Sequence, residues 1–166
     1  MGFYVILRGP LGIGKSTVSE RLAVEVRGEH ISIDQILEEH RLWESGRASE
    51  FLRANTFAAE RAEPRLAKGI AVVFDGNFYW KSVIADLLRR LDYPHVVITL
   101  RAPVSVCIDR DRQRSHPYGI RATKAVFSKT RRVDCGVAVD ATGSVDDVVR
   151  EVRRQLPPAP SRAAAR

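Results

Sequence analysis

Gly9-Pro10-Leu11-Gly12-Ile13-Gly14-Lys15-Ser16 fits the pattern GxxxxGK followed by Ser or Thr. The residue types at that spacing suit a triphosphate. Glycines let backbone N–H groups close around phosphate oxygens, and a helix starting at the lysine adds partial positive charge. Lys15 reaches the β- and γ-phosphates, and the Ser16 hydroxyl takes a place on Mg²⁺. Gly9, Leu11, Gly12, Ile13, Gly14, Lys15, Ser16 and Thr17 are thus the expected nucleotide-binding residues. A chance glycine turn is the alternative. It is disfavoured by the flanks, an apolar run at 3–7 and then Val18, Leu22 and Val26 at helical spacing.

A second group stands on another apolar run. Ala71-Val72-Val73-Phe74 ends in Asp75, a carboxylate placed to hold Mg²⁺ through water or to orient an acceptor. The competing reading is an Asp that caps the turn after a strand.

These groups need elements to position them. Apolar runs at 3–7, 30–33, 70–75, 95–100 and 136–140 read as strands, most of them near-continuous, as in strands buried on both faces. Helical spacing separates them, with Val83, Ile84, Leu87, Leu88 and Leu91 on one face and Val145, Val148, Val149, Val152 and Leu156 on another. Ser144 with Asp147 marks the start of the last helix, and Pro103 suits the first turn of the helix after the fourth strand. The order β-α-β-α-α-β-α-β-α-β-α predicts an α/β fold, a parallel sheet with helices on both faces. About two helices fit between 35 and 69, long for a crossover, so a helical insert that binds substrate or closes over it belongs there.

The 166 residues, 45% hydrophobic and 28% charged, suit one domain, expected over 1–156, with a disordered Pro/Ala/Arg tail at 157–166. Two cysteines, Cys107 and Cys135, are too few for a disulfide framework or a zinc site, and Cys107 reads as a buried free thiol. No run approaches the roughly 18 apolar residues that span a bilayer. Arg8 follows the first apolar run instead of preceding it, unlike a signal peptide. A soluble cytoplasmic protein with no membrane partner is expected, as monomer or homodimer.

Over about residues 3–154 the sequence resembles the small P-loop kinases, the group of shikimate, gluconate, adenylylsulfate and nucleotide kinases. The phosphate loop is the specific part, and the rest is order and spacing. The resemblance implies a five-stranded parallel sheet of order 2-3-1-4-5, with Asp34 and Asp75 at the carboxyl edge facing the loop. It implies that Asp34, after Ile31-Ser32-Ile33, contacts the acceptor hydroxyl and acts as base, although Asp34 also suits a helix N-cap. It places a lid over 110–124, beginning in Asp109-Arg110-Asp111-Arg112-Gln113-Arg114. There Arg110 stacks near adenine and Arg114 contacts phosphates, unless the run is only a solvated charged face. Residues 115–119 form the lid tip, and 140–144 the adenine-contact loop. Asp75-Gly76-Asn77-Phe78-Tyr79-Trp80 resembles the loop after the third strand in kinases of small alcohols, antibiotics or RNA 5′ ends. Asn77 then donates to the acceptor, and the aromatic triplet forms a wall or packs in the core.

The implied activity uses ATP and Mg²⁺ to phosphorylate a hydroxyl on a small molecule. Lys15, Asp34, Arg110 and Arg114 are the catalytic set, Ser16 and Asp75 the metal ligands, and Asp34, Asp75 and Asn77 the acceptor contacts. The alternatives are a polynucleotide 5′-hydroxyl kinase, a nucleotide kinase, or a nucleotide-dependent switch with no enzymatic activity. Ser32-x-Asp34 departs from the Asp-x-Asp usual in shikimate kinases, and Arg41, Arg47, Arg53, Arg61 and Arg65 do not reproduce a nucleotide-kinase arginine pattern. The net charge of +7 is local. Residues 101–132 hold nine Lys or Arg against two Asp, a balance equal to that of the whole chain. The excess falls in and after the expected lid, where a triphosphate needs it. Only Arg121 to Arg132 remain to attract nucleic acid, a secondary partner.

Overall fold

The computed structural model describes residues 2–42 and 45–157. Its strands are β1 (Tyr4–Arg8), β2 (Glu29–Ser32), β3 (Val72–Gly76), β4 (His95–Arg101) and β5 (Val137–Asp140). All pair in parallel, in the order β2-β3-β1-β4-β5. The expected sheet is therefore present, with strand limits shifted by one or two residues.

The helices are α1 (Lys15–Glu25), α2 (Ile33–Glu39), α3 (Ala48–Ala67), α4 (Lys81–Arg90), α5 (Val104–Arg112), α6 (Ile120–Arg131) and α7 (Val145–Arg154). Alternate residues of a strand point to opposite faces. Tyr4, Ile6 and Phe74 accordingly join a core with α2, α3 and α4, while Val5, Leu7 and Val73 join one with α1 and α7. β1 lies at the centre and all five of its residues are buried. Cys107 is a buried free thiol. None of these helices is long and apolar enough to cross a membrane. Past Pro157, the expected tail lies outside the described residues.

Three local expectations change. One helix was expected between β4 and β5, and there are two. The chain breaks at Pro117 and Gly119, where the buried carboxylate of Asp111 accepts from Tyr118 N at 3.2 Å and Gly119 N at 2.8 Å. Proline cannot supply an interior helix N–H, and Asp111 satisfies the backbone donors of the turn. Pro103 is the N-cap of α5 and lies just outside its first turn. Asp34 is not an N-cap. Ser32 fills that role for α2, accepting from Gln35 N at 3.3 Å, which frees Asp34 in the first turn. The expected cap at Ser144 is present, accepting from Asp147 N at 3.2 Å.

Arg8 is the charged residue that breaks the apolar pattern of β1. It is fully buried, and its guanidinium donates to Thr130 O and Val133 O (both 2.8 Å) and to Thr99 Oγ1 (3.0 Å). It thus caps the carboxyl end of α6, where carbonyls lack partners and the helix dipole favours a cation. The next residue is Gly9, so this clamp ties α6 to the root of the phosphate loop. Burial lowers its pKa, with Cys135 opposing. Replacing Arg8 with Met removes a buried charge but strands the Val133 carbonyl, while Thr130 O keeps Val133 N at 3.4 Å. The expected net loss is about 2 kcal/mol of stability, read by urea unfolding.

Candidate functional site

The loop from Gly9 to Gly14 joins the buried end of β1 to α1, and Gly14 caps that helix in the left-handed region at φ 97°. Gly12 also has positive φ, and the carbonyl oxygen of Cys107 occupies the space a Cβ would need. That contact presses α5 against the loop. Lys15 opens α1 and is almost fully buried, its Nζ donating to Pro10 O at 3.0 Å. Burial lowers its pKa, and the carboxylates of Asp34 and Asp75 oppose that shift.

Both carboxylates therefore stand near the lysine. Asp75, on β3, is 2% exposed and pairs in register with Ser32 of β2. Burial opposes its charge, yet His30 and the hydroxyls of Ser16 and Ser32 outweigh burial and hold the carboxyl below its ordinary value. Asp34, on the first turn of α2, is raised instead. Burial dominates, Lys15 opposes and the charge of Asp75 adds. Two neighbouring carboxylates pushed in opposite directions are a common basis for divided roles.

Asn77 follows on the loop after β3 and is 7% exposed. The aromatic triplet beyond it divides. Phe78 is fully buried in the core, at a positive φ of 45° that turns the loop. Tyr79 and Trp80 are half-buried and meet Phe51 of α3 edge-on, with centroids at 5.8 and 5.2 Å. Burial and the nearby charge of Asp34 push the Tyr79 hydroxyl up to about 12. Lys129 Nζ lies 5.5 Å over the Tyr79 ring.

The arginines separate more than expected. The Arg110 guanidinium donates to Ile13 O (3.0 Å), Ala141 O (2.8 Å) and Gly143 O (3.2 Å). It thus bolts the phosphate loop to the loop before α7. The Arg114 guanidinium lies 5.4 Å over the Tyr118 ring, close enough to Lys15 to help lower its pKa. Both arginines line a cavity of about 410 Å³ with Gly12, Thr17, Gly143 and Val145. A larger cavity of about 890 Å³ lies over β4 and β5 beside α6, and Lys15, Asp34, Asp75 and Asn77 do not line it. Among the described residues, no three His, Cys, Asp or Glu side chains gather as a metal cage.

The structure thus brings Lys15, Asp34 and Asp75 together, with Asn77 two residues beyond, and puts Arg110 and Arg114 on the neighbouring cavity. Residues 5–133 match a protein-family model described as an AAA domain. The chain belongs to this family of P-loop proteins. Its 2-3-1-4-5 parallel sheet is that of a P-loop kinase-like fold. No curated protein matches it in sequence. Among solved structures it is similar to a gluconokinase from Sinorhizobium meliloti, at 22% identity over 89% of this chain and 87% of that one (TM-score 0.70). It is also similar to the Mycobacterium tuberculosis APS kinase in complex with AMPPNP and APS, at 16% identity over 92% and 96% (TM-score 0.75). A tunicamycin resistance protein from Deinococcus radiodurans aligns at 16% identity over 96% and 99% (TM-score 0.70).

Sequence reasoning passed over Arg8, His30 and Asp111. A charge at the end of a wholly apolar strand was the available signal for Arg8. His30 and Asp111 gave none, because their partners are set by strand register and by the fold of a turn.

Proposed function

We propose that this chain is an ATP-dependent phosphotransferase that moves the γ-phosphoryl group of ATP to a hydroxyl of a small-molecule acceptor. One observation carries the proposal. Asp34 Oδ1, Asp75 Oδ2 and Asn77 Oδ1 are buried beside the phosphate loop without hydrogen-bond partners. Each such atom costs about 1–3 kcal/mol, and native folds keep few of them outside sites where a ligand completes the bonding.

In this reading residues 9–17 cradle the triphosphate. Lys15 swings from Pro10 O to the phosphate oxygens and stabilises charge on the transferring group. Asp34 accepts the hydroxyl proton as the acceptor oxygen bonds to phosphorus and the bridging oxygen departs with ADP. Asn77 and the Tyr79–Trp80 wall orient the acceptor, and the helical insert 35–69 encloses it. Arg114 on the 110–124 lid adds positive charge. Arg110, already spent on carbonyls, holds the nucleotide pocket together. Asp75, with Oδ2 unpartnered and the Ser16 hydroxyl near its carboxylate, would fit Mg²⁺ together with phosphate oxygens and water. When bound, the ion neutralises phosphate charge.

A hydroxyl acceptor is favoured over a nucleotide. Two insert arginines are already paired with acids, Arg61 with Glu39 at 2.5 Å and Arg65 with Glu29 at 2.7 Å. Similarity to a gluconokinase and an APS kinase supports a small acceptor. The test is a screen of ATP consumption against sugars, nucleosides, antibiotics and RNA oligonucleotides. A phosphorylated small molecule is expected. ATP hydrolysis with no phosphorylated product from any acceptor would leave only the nucleotide switch.

A second reading rests on α6. Arg121, Lys124, Lys129 and Arg131 are exposed there, and the helix contains no acid. An RNA 5′-hydroxyl acceptor would bind such a face with steep salt dependence. Absence of RNA binding at low salt removes that reading.

A further inference from the structure

We propose that His30 is a positioning residue for Asp75, its Nε2 placed beside Oδ1 to hold that oxygen and leave Oδ2 for the phosphate-loop side. This rests on the phosphotransferase reading of the site. The histidine lies on β2, two residues before Ser32, so their side chains share one face of the sheet. Register sets Ser32 beside Asp75 and His30 beside Val73, on the face covered by α1. His30 Nε2 is 3.4 Å from Asp75 Oδ1. Among the described residues, His30 is the only basic group at salt-bridge distance from this carboxylate. The contact is a close approach short of a formed hydrogen bond, since His30 Nε2 and Asp75 Oδ2 are both buried and without hydrogen-bond partners, and the imidazole nitrogen has no competing use.

The terminal torsion of an aspartate is broad, so burial alone does not choose which oxygen faces the phosphate loop. A donor on one oxygen does. With Oδ1 beside His30 Nε2, Oδ2 is the oxygen left without a partner, and the Ser16 hydroxyl on the first turn of α1 also lies near this carboxylate. Lys15 cannot take over this role, because its Nζ is committed to Pro10 O and, in the proposed mechanism, to phosphate. Groups that orient a metal-binding carboxylate typically change metal affinity by about 10- to 100-fold when removed.

The test uses nucleotide and metal alone, without acceptor. Binding of a fluorescent ATP analogue is titrated with Mg²⁺ and again in EDTA, for the wild type, His30→Phe, His30→Leu and His30→Gln. Phe and Leu remove the donor and keep the site filled, so one reports if the other unfolds. Gln keeps an N–H donor. The Mg²⁺ needed for half-saturation is expected to rise about tenfold or more in the Phe and Leu variants and to return to within about threefold in Gln, with Mg²⁺-free binding and thermal unfolding little changed. An unchanged Mg²⁺ requirement in a folded Phe or Leu variant overturns the proposal. So does an equal loss with and without Mg²⁺ that Gln does not rescue, since that is a packing defect. Failure of the wild type to bind nucleotide would instead overturn the reading of the whole site.

Discussion

Replacing Lys15 with Met is expected to lower phosphoryl transfer at least about a thousandfold, roughly 4 kcal/mol of transition-state stabilisation. In phosphoryl transfer the protein contributes chiefly position and charge, so the loss of the buried cation beside the reacting phosphate has no local substitute. Arg114 stands farther out, over Tyr118, and Arg110 is tied to Ile13, Ala141 and Gly143. The fold is expected to survive. Burial lowers the Lys15 pKa, so the folded state disfavours its charged form. Stability at neutral pH therefore carries a cost that rising pH removes only as it passes through the lowered folded value and on to the ordinary lysine value. Met keeps the stem without the charge, so its melting temperature is expected to equal or exceed that of the wild type. Turnover assays and thermal unfolding of the same preparation check both halves. A variant that loses activity only because it unfolds would contradict the assignment.

Replacing Asp34 with Asn is expected to lower kcat about 10²- to 10⁴-fold, with the KM for ATP nearly unchanged. Asn keeps the shape and loses the proton acceptor. The sign of the pH dependence follows from the raised pKa, which burial dominates, Lys15 opposes and Asp75 adds to. A base works only when ionised, so the wild-type rate falls as pH drops through the folded value of Asp34. That value lies above the usual aspartate pKa of about 3.9. A kcat/KM profile of the Asn variant should lack this acid limb. Stability runs the other way. Between the unfolded and folded pKa values the native state holds a proton that the unfolded chain has released, so stability falls as pH rises through that window and the cost persists at neutral pH. Asn removes the cost, and a rise in melting temperature of roughly 2–4 °C is expected, the shift that about 1 kcal/mol makes in a domain of this size. Loss of activity with gain of stability is the pattern of a strained functional group.

The sequence made the phosphate loop and the sheet legible for the same reason. Both are written in local terms, glycines at fixed spacing and short apolar runs of fixed length. What it left obscure depends on distant contacts. The break between α5 and α6 at Pro117 and Gly119 is stabilised by Asp111, which in sequence looks like one more acid in a charged run. Asp34 looks like a cap until Ser32 is seen to hold that place. The aromatic triplet reads as one surface, yet Phe78 turns into the core while Tyr79 and Trp80 face Phe51. Arg110 and Arg114 line one cavity, but the first spends its guanidinium on backbone carbonyls, a use that no spacing in the sequence encodes.

The local charge excess also resolves into uses. Arg101 pairs with Asp134 at 2.6 Å and Arg112 with Asp109 at 3.5 Å, while Arg110 and Arg114 border the cavity of about 410 Å³ beside the phosphate loop. What remains exposed is chiefly the face of α6.

The most direct test of the phosphotransferase reading follows the γ-phosphorus of ATP by ³¹P NMR, in the presence of Mg²⁺ and each acceptor of the screen. With one class of small hydroxyl compounds the γ signal is expected to give way to a phosphomonoester signal, matched by ADP, in the wild type and not in the Lys15→Met variant. Phosphorus that appears only as inorganic phosphate, whatever hydroxyl compound is supplied, would contradict it.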